Sequence, residues 1–214
     1  MASPTSQPAA QPAPSKGERT RARILEAAGE HFAAVGFEGA SVPAIARQVG
    51  VSHATLYQHF GKKDELFRAA VEADLSALFA AVHPALDEPD IDPEGIVVLV
   101  AKLLAASRHH PLARRILAEI NAEENTALRD SPALTALEDR LVAAIDRGQR
   151  AGTVRHDLGA AHLATGLIAV TLPLLVVALR LEGAVDHRRA GDALVFLTDS
   201  LRPPGRTTSR KVRR

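Results

Sequence analysis

The stretch GVSHATLYQHFGKKDELF, Gly50–Phe67, decides how this chain is read. From Ser52 to Phe60 it carries two histidines, a tyrosine, a glutamine and a threonine, too many polar tips for a helix that only packs. Ser52 is a good N-cap, and Gly50 and Gly61 are turn residues on either side, so the spacing predicts a short helix ending near Phe60. Wound at about 100° per residue, it places Leu56 and Phe60 on one face. The opposite face shows Ala54 and Gln58, flanked by Thr55 and Tyr57, with His53 and His59 at the edges. An amide can meet a base edge, an alanine a thymine methyl and a hydroxyl a phosphate, so this face suits a DNA major groove. His59 can instead close a hydrogen bond within a small helical domain, and that alternative stays open.

Working outward, Thr20–Val35 puts Ile24, Ala28, Phe32 and Val35 on one stripe, and Gly36 is expected to stop that helix. Ser41 is expected to cap a second, short helix, with Pro43 in its first turn and Ile45, Ala46 and Val49 facing inward. Two short helices joined at Gly50, with a third before them, make a helix-turn-helix. A fourth helix begins near Lys63, where Asp64 and Glu65 favour the positive end of the helix dipole. There Lys63 can be solvated surface or can grip a phosphate.

Ala22–Val71, ARILEAAGEHFAAVGFEGASVPAIARQVGVSHATLYQHFGKKDELFRAAV, resembles the DNA-binding domain of the tetracycline-repressor (TetR) family. The resemblance implies a homodimer with a ligand pocket in its C-terminal half, which represses transcription at a palindromic operator and releases it when a small molecule binds. By the same resemblance Ser41, Thr55, Tyr57, His59 and Lys63 match positions that meet phosphate, and His53, Ala54 and Gln58 match positions that meet bases. Ser52 completes the set as the cap of the recognition helix. Two positions depart from the family pattern: Gly61-Lys62 stands where Pro-Ser is frequent, removing a helix cap, and His53 stands where Lys or Arg is common.

The charge is segregated. Residues 16–68 hold eight Lys/Arg against six Asp/Glu, residues 69–201 hold twelve against nineteen, and residues 202–214 hold six against none. An acidic body between two basic ends leaves only the ends to attract a polyanion. The chain has no cysteine, which excludes disulfides and thiolate metal sites. Residues 1–15 are uncharged and rich in Pro, Ala and Ser, and read as a disordered lead and not a secretory signal. The basic segment 203–214 reads as a disordered tail.

Strand patterns are scarce, so the fold class is all-α: a helix-turn-helix domain over 16–82, then a larger helical domain for effector binding and dimerisation over 83–202. The boundary falls in HPALDEPDIDPEG, with its three prolines, and helices are predicted at 94–108, 111–128, 132–151, 158–181 and 187–201. Leu99, Leu103, Ile116, Ile120, Leu141 and Ile145 are the candidate pocket liners, with Glu119 as a polar anchor. Ala161, Thr165 and Ala169 form a flat strip, and Ala190, Leu194, Leu197 and Leu201 a second stripe, so the last two helices are expected to pair across a dimer as a four-helix bundle. Leu163–Leu179 is an uncharged run at the short end of the membrane-spanning range, and it is read as a buried or interface helix with no membrane partner.

No metal-binding His/Glu spacing, phosphate loop or nucleophile elbow occurs, so no cofactor, metal or catalytic residue is expected and an enzyme is the disfavoured class. An activator, or a constitutive DNA binder without an effector, remains the alternative to a derepressible repressor. Sequence fixes the partners only as an operator duplex, a second copy of the chain and a small molecule, with action in the cytoplasm on the nucleoid. A histidine where Lys or Arg is common carries a positive charge mainly at low pH. Operator affinity is therefore expected to be higher at pH 6 than at pH 8, and His53→Gln should abolish the difference in a binding titration. Equal affinity in the parent protein at both values would refute the role of His53.

Overall fold

The computed structural model describes residues 15–88, 92–118, 122–180, 195–196 and 198–203, in which every regular element is a helix. Helix α1 (Lys16–Gly39) starts at a capping box: Ser15 Oγ accepts from the Glu18 N–H at 3.2 Å, and the Ser15 N–H donates back to Glu18 at 2.6 Å. The Ser15 N–H first, and the Ser15 hydroxyl second, hold the Glu18 carboxyl below its ordinary range. Ile24, Ala28 and Phe32 are fully buried, as the stripe predicts. Val35 is 48% exposed, because the chain turns at Gly36 (φ 73°) and Phe37 takes the inner place. The Phe37 ring sits 6.4 Å from Phe32 and 5.1 Å from Phe67. Gly36 therefore breaks the helix, as expected, and a short helical turn to Gly39 follows the break.

Helix α2 (Val42–Val49) closes on Gly50 in the left-handed region (φ 73°, ψ 36°), which lets the chain turn sharply into α3 (His53–Phe60). Helix α4 (Lys63–Ala80) buries Leu66, Phe67, Ala70, Val71, Leu75, Leu78 and Phe79. The segment expected to be a boundary holds a short helix, α5 (His83–Leu86), before α6 (Pro93–Ser107), whose cap Asp92 accepts from the Gly95 N–H at 2.8 Å. Where one helix was predicted over 111–128 there are α7 (Pro111–Ala118) and α8 (Ala122–Arg129). Helix α9 (Pro132–Ala151) and α10 (Ala160–Arg180) follow, and residues 198–201 are helical again.

One core joins α1–α4 to Leu112, Ala113, Ile116 and Leu117 of α7 and to Ala127, Leu128 and Ala133 beyond it. A second joins Val82, Leu86, Ile96, Leu99, Ala144, Ile145, Leu163, Leu167 and Leu201. Two carboxylates tie α4 to the helices behind it. Asp74 accepts the Ala113 N–H at 2.8 Å and pairs with His110 Nδ1 at 2.7 Å, closing the start of α7. Glu72 accepts from the Ser131 hydroxyl at 2.6 Å, and Ser131 caps α9.

Leu201 corrects an expectation. It is 1% exposed inside the second core and is thus no part of a surface stripe. The reason is local: its carbonyl accepts the Arg155 N–H at 2.9 Å, while the Arg155 side chain donates to the Ser200 carbonyl at 3.0 Å and, at 2.6 and 2.7 Å, to both oxygens of Asp157. Among the described residues no single helix is long and apolar enough to cross a membrane.

The Arg155 hydrogen bond holds the Asp157 carboxyl at about 2, down from 3.8. Because the folded value is the lower one, the contribution of this clip is present above pH 3.8 and is lost as pH falls through about 2. Arg155→Gln is expected to return the Asp157 titration, followed by carboxyl ¹³C NMR, toward 3.8, and an unmoved titration would show that the guanidinium is not the cause.

Candidate nucleic-acid interface and the cavity behind it

The recognition helix α3 is anchored by Leu56 and Phe60, 1% and 4% exposed. Its start is fixed by Ser52, whose Oγ accepts the Thr55 N–H at 3.0 Å and lies 2.8 Å from the Thr55 hydroxyl. With its inner face and N-terminus held, α3 presents His53, Ala54, Tyr57 and Gln58 to solvent, while Thr55 and His59 are half-buried. The His53 ring stands edge-on to Tyr57 at 4.5 Å, so the two restrict each other's rotamers. Arg21 lies over the Phe60 ring at 5.0 Å, and Arg23 donates to the Val49 carbonyl at 2.7 Å, closing the end of α2. Sequence reading missed both arginines, although each stands off the inward stripe of α1, where a cation can reach the next helix.

Ser41 was expected to cap α2 through its side chain, and it does not: no side-chain capping bond forms, and its own N–H points to His31 Nε2 at 3.3 Å. Its extended backbone (φ −113°, ψ 110°) leaves the exposed hydroxyl unused by the helix. Helix α4 likewise opens at Lys62 with no side-chain cap, as the Gly61-Lys62 departure implies. The two helices flanking α3 thus begin with N–H groups no side chain satisfies, and the positive ends of their dipoles favour an anion. Lys63, at the second of these ends, is half-buried, with Nζ donating to the Glu38 carbonyl at 3.3 Å and 4.8 Å from the Phe37 ring centroid.

Behind this layer lies an apolar cavity of about 100 Å³. Phe79 enters it from α4, Val82 from the cap of α5 and Leu86 from α5, Leu99 and Leu103 from α6, Leu117 from α7, Leu134, Leu137 and Leu141 from α9, and Leu167, Ile168 and Thr171 from α10. Leu99, Leu103 and Leu141 were among the sequence candidates. Ile116 and Ile145 were too, but they do not line the cavity: Ile116 packs in the first core and Ile145 in the second. Glu119 and Ile120 lie outside the described residues. The missed liners had a signal, since Leu75, Phe79, Val82 and Leu86 run on at helical spacing into the stretch read as a boundary. Ala161, Thr165 and Ala169 are exposed along α10, with Thr165 Oγ1 donating to Glu138 at 3.1 Å. Ala190, Leu194 and Leu197 lie outside the described residues. Among the described residues no group of three His, Asp or Glu side chains could hold a metal ion.

The family profile described as "Bacterial regulatory proteins, tetR family" matches residues 24–70, from the buried stripe of α1 through α3 into α4. The HTH-type transcriptional repressor NicS of Pseudomonas putida is 31% identical over 152 residues, 69% of this chain and 71% of that one. The chain belongs to the tetR family. Another relative, an HTH-type transcriptional repressor of Streptomyces coelicolor, is 29% identical over 198 residues, 91% of this chain and 95% of that one. Among solved structures, the transcriptional regulator FadR from Bacillus subtilis in complex with stearoyl-CoA has a TM-score of 0.68 at 16% identity, covering 84% of this chain and 98% of that one, a likeness of fold. As a tetR-family protein the chain is a DNA-binding regulator of transcription and not an enzyme.

Gln58 stands on the exposed face of α3, and its amide carries both a donor and an acceptor for a base edge. Gln58→Ala is expected to weaken the preferred duplex by about 1–3 kcal/mol while relaxing preference at one position of the half-site. An equal loss on all sequences, in a competition series of single-base variants, would place Gln58 on phosphate.

Proposed function

We propose that this tetR-family protein is an effector-responsive repressor that binds a palindromic operator as a homodimer and lets go when a small lipophilic or aromatic molecule enters the cavity. In this reading residues 16–82 meet DNA, and residues 83–202 sense the effector and dimerise. The observation that carries it is the cavity wall. Among the described residues, aliphatic side chains and Phe79 make nearly all of it, Thr171 supplies a hydroxyl, and no charged side chain lines it. Such a wall favours a neutral apolar group. Phe79 belongs to α4, whose other end begins at Lys62 beside the recognition helix, so a group that swells the cavity presses on the helix that seats the DNA-meeting layer. The NicS-like and Streptomyces relatives are repressors, and FadR, of like fold, binds an acyl-CoA.

Two copies are called for by the target. A dimer sets two recognition helices about 34–36 Å apart, one turn of duplex, and reads a palindrome. The exposed strip Ala161, Thr165 and Ala169 offers a flat face with Val170 next to it, 42% exposed, and Val195 and Phe196, at 58% and 68% exposure, are further apolar surface for a second copy to cover.

The test is a selection of duplexes from a random pool, followed by a titration of the winner and a screen of fatty acids, long-chain acyl esters and aromatic compounds. A palindrome bound by two chains, preferred by about 10³ over scrambled DNA and released by an apolar compound, is the expected result. Leu137→Phe, which fills the cavity, should keep DNA binding and lose release. A selected site that stays bound through the whole screen would favour the constitutive regulator, and a single chain per site would sink the dimer.

A further inference from the structure

The turn at Gly36 is gripped from two sides. Behind it lies the Arg115 guanidinium of α7: Nη1 donates to the Ala33 carbonyl at 3.3 Å, and a Cβ on Gly36 would come within 2.9 Å of Nη2. Glycine alone supplies both the positive φ and the space for that approach. In front of it, the two residues that follow hold Lys63, Glu38 through its carbonyl and Phe37 through its ring. Phe37 cannot swing freely, since Phe32 and Phe67 bracket it. Arg115 and Lys63 come from different parts of the chain, yet both rest on the segment 33–38.

We propose that Arg115 is a positioning residue for DNA binding: by fixing the Gly36–Glu38 turn it sets the place from which the Lys63 ammonium meets a phosphate. The proposal rests on the reading of Lys63 as a phosphate contact. An ammonium has three donors, so the Glu38 carbonyl engages one and leaves two for an anion. A lysine already held gives up less rotamer freedom when it binds than one free in solvent. Arg115 suits the task because its planar fork carries several donors in a fixed geometry, which a flexible ammonium does not. Its helix also carries Leu117 into the cavity wall, so the link joins the two working ends of the molecule.

The test has a readout in the free protein and one on DNA. Lying over the Phe37 ring, the Lys63 ε-methylene should show an upfield ring-current shift in ¹H–¹³C spectra, and Arg115→Met should erase it in a protein that still unfolds cooperatively. An unchanged shift overturns the proposal. On the duplex recovered by selection, Lys63→Ala is expected to cost roughly five- to tenfold in affinity and to lower the salt slope by about 1. Arg115→Met should cost part of that in the parent protein and nothing further in the Lys63→Ala background. Equal losses in both backgrounds overturn the proposal, because Arg115 then supports the fold and not Lys63. Wild-type affinity and slope in Lys63→Ala would remove the phosphate role and with it the proposal, and the free-protein spectrum tells that failure apart from a missing Arg115 link. Should Arg115→Met fail to fold, Gly36→Ala drives a Cβ into the guanidinium and must give the same signatures.

Discussion

Helix α4 buries Leu66, Phe67, Ala70, Val71 and Leu75 under the small helices of the DNA-meeting layer, and then Leu78 and Phe79 toward the helices that follow. A side chain such as Leu66 or Leu75, taken wholly from water, contributes about 1.5–3 kcal/mol. The α3 anchors Leu56 and Phe60 are too few to hold an eight-residue helix alone, since isolated helices of that length are marginal. Helix α3 is therefore ordered by burial against α2 and α4.

Polarity is divided to match. Where α4 must stay in register it uses buried or half-buried hydrogen bonds to helix starts, at Ser131 and at Ala113. Bonds of this charge-assisted kind are about twice as strong as neutral ones. The cavity, by contrast, is lined among the described residues by almost no hydrogen-bonding group. The helices flanking α3 show a third arrangement: two helix starts whose N–H groups no side chain caps.

The sequence was most legible where local chemistry decides the outcome. Ser52, Gly50 and Gly61 delimit α3, and Leu56 and Phe60 point inward, because a cap, a left-handed turn and a four-residue spacing each act over a few residues. It was least legible where the same pattern admits several partners. An amphipathic stripe says that Leu201 is covered but not by what, and here its own chain covers it through the Arg155 clip. Ile116 and Ile145 obey the inward spacing but fill cores beside the cavity, and Phe79, Val82 and Leu86 reach the cavity across a stretch whose prolines look like a boundary. Gly36 reads as a stop from propensity, and the helix does break there. The short turn beyond it depends on Phe37 finding Phe32 and Phe67, contacts that only the folded chain supplies.

Glu72 and Asp74 are two residues apart on α4, hence on nearly opposite sides of it, and each grips the start of a different helix. Rolling α4 about its axis by some 20° would carry side-chain atoms on its flanks sideways by roughly 2 Å, enough to break either bond, and the two flanks move in opposite senses. The pair acts as the key on a shaft and opposes rotation of α4, so the face that packs under α1 and α3 keeps its register with the helices behind.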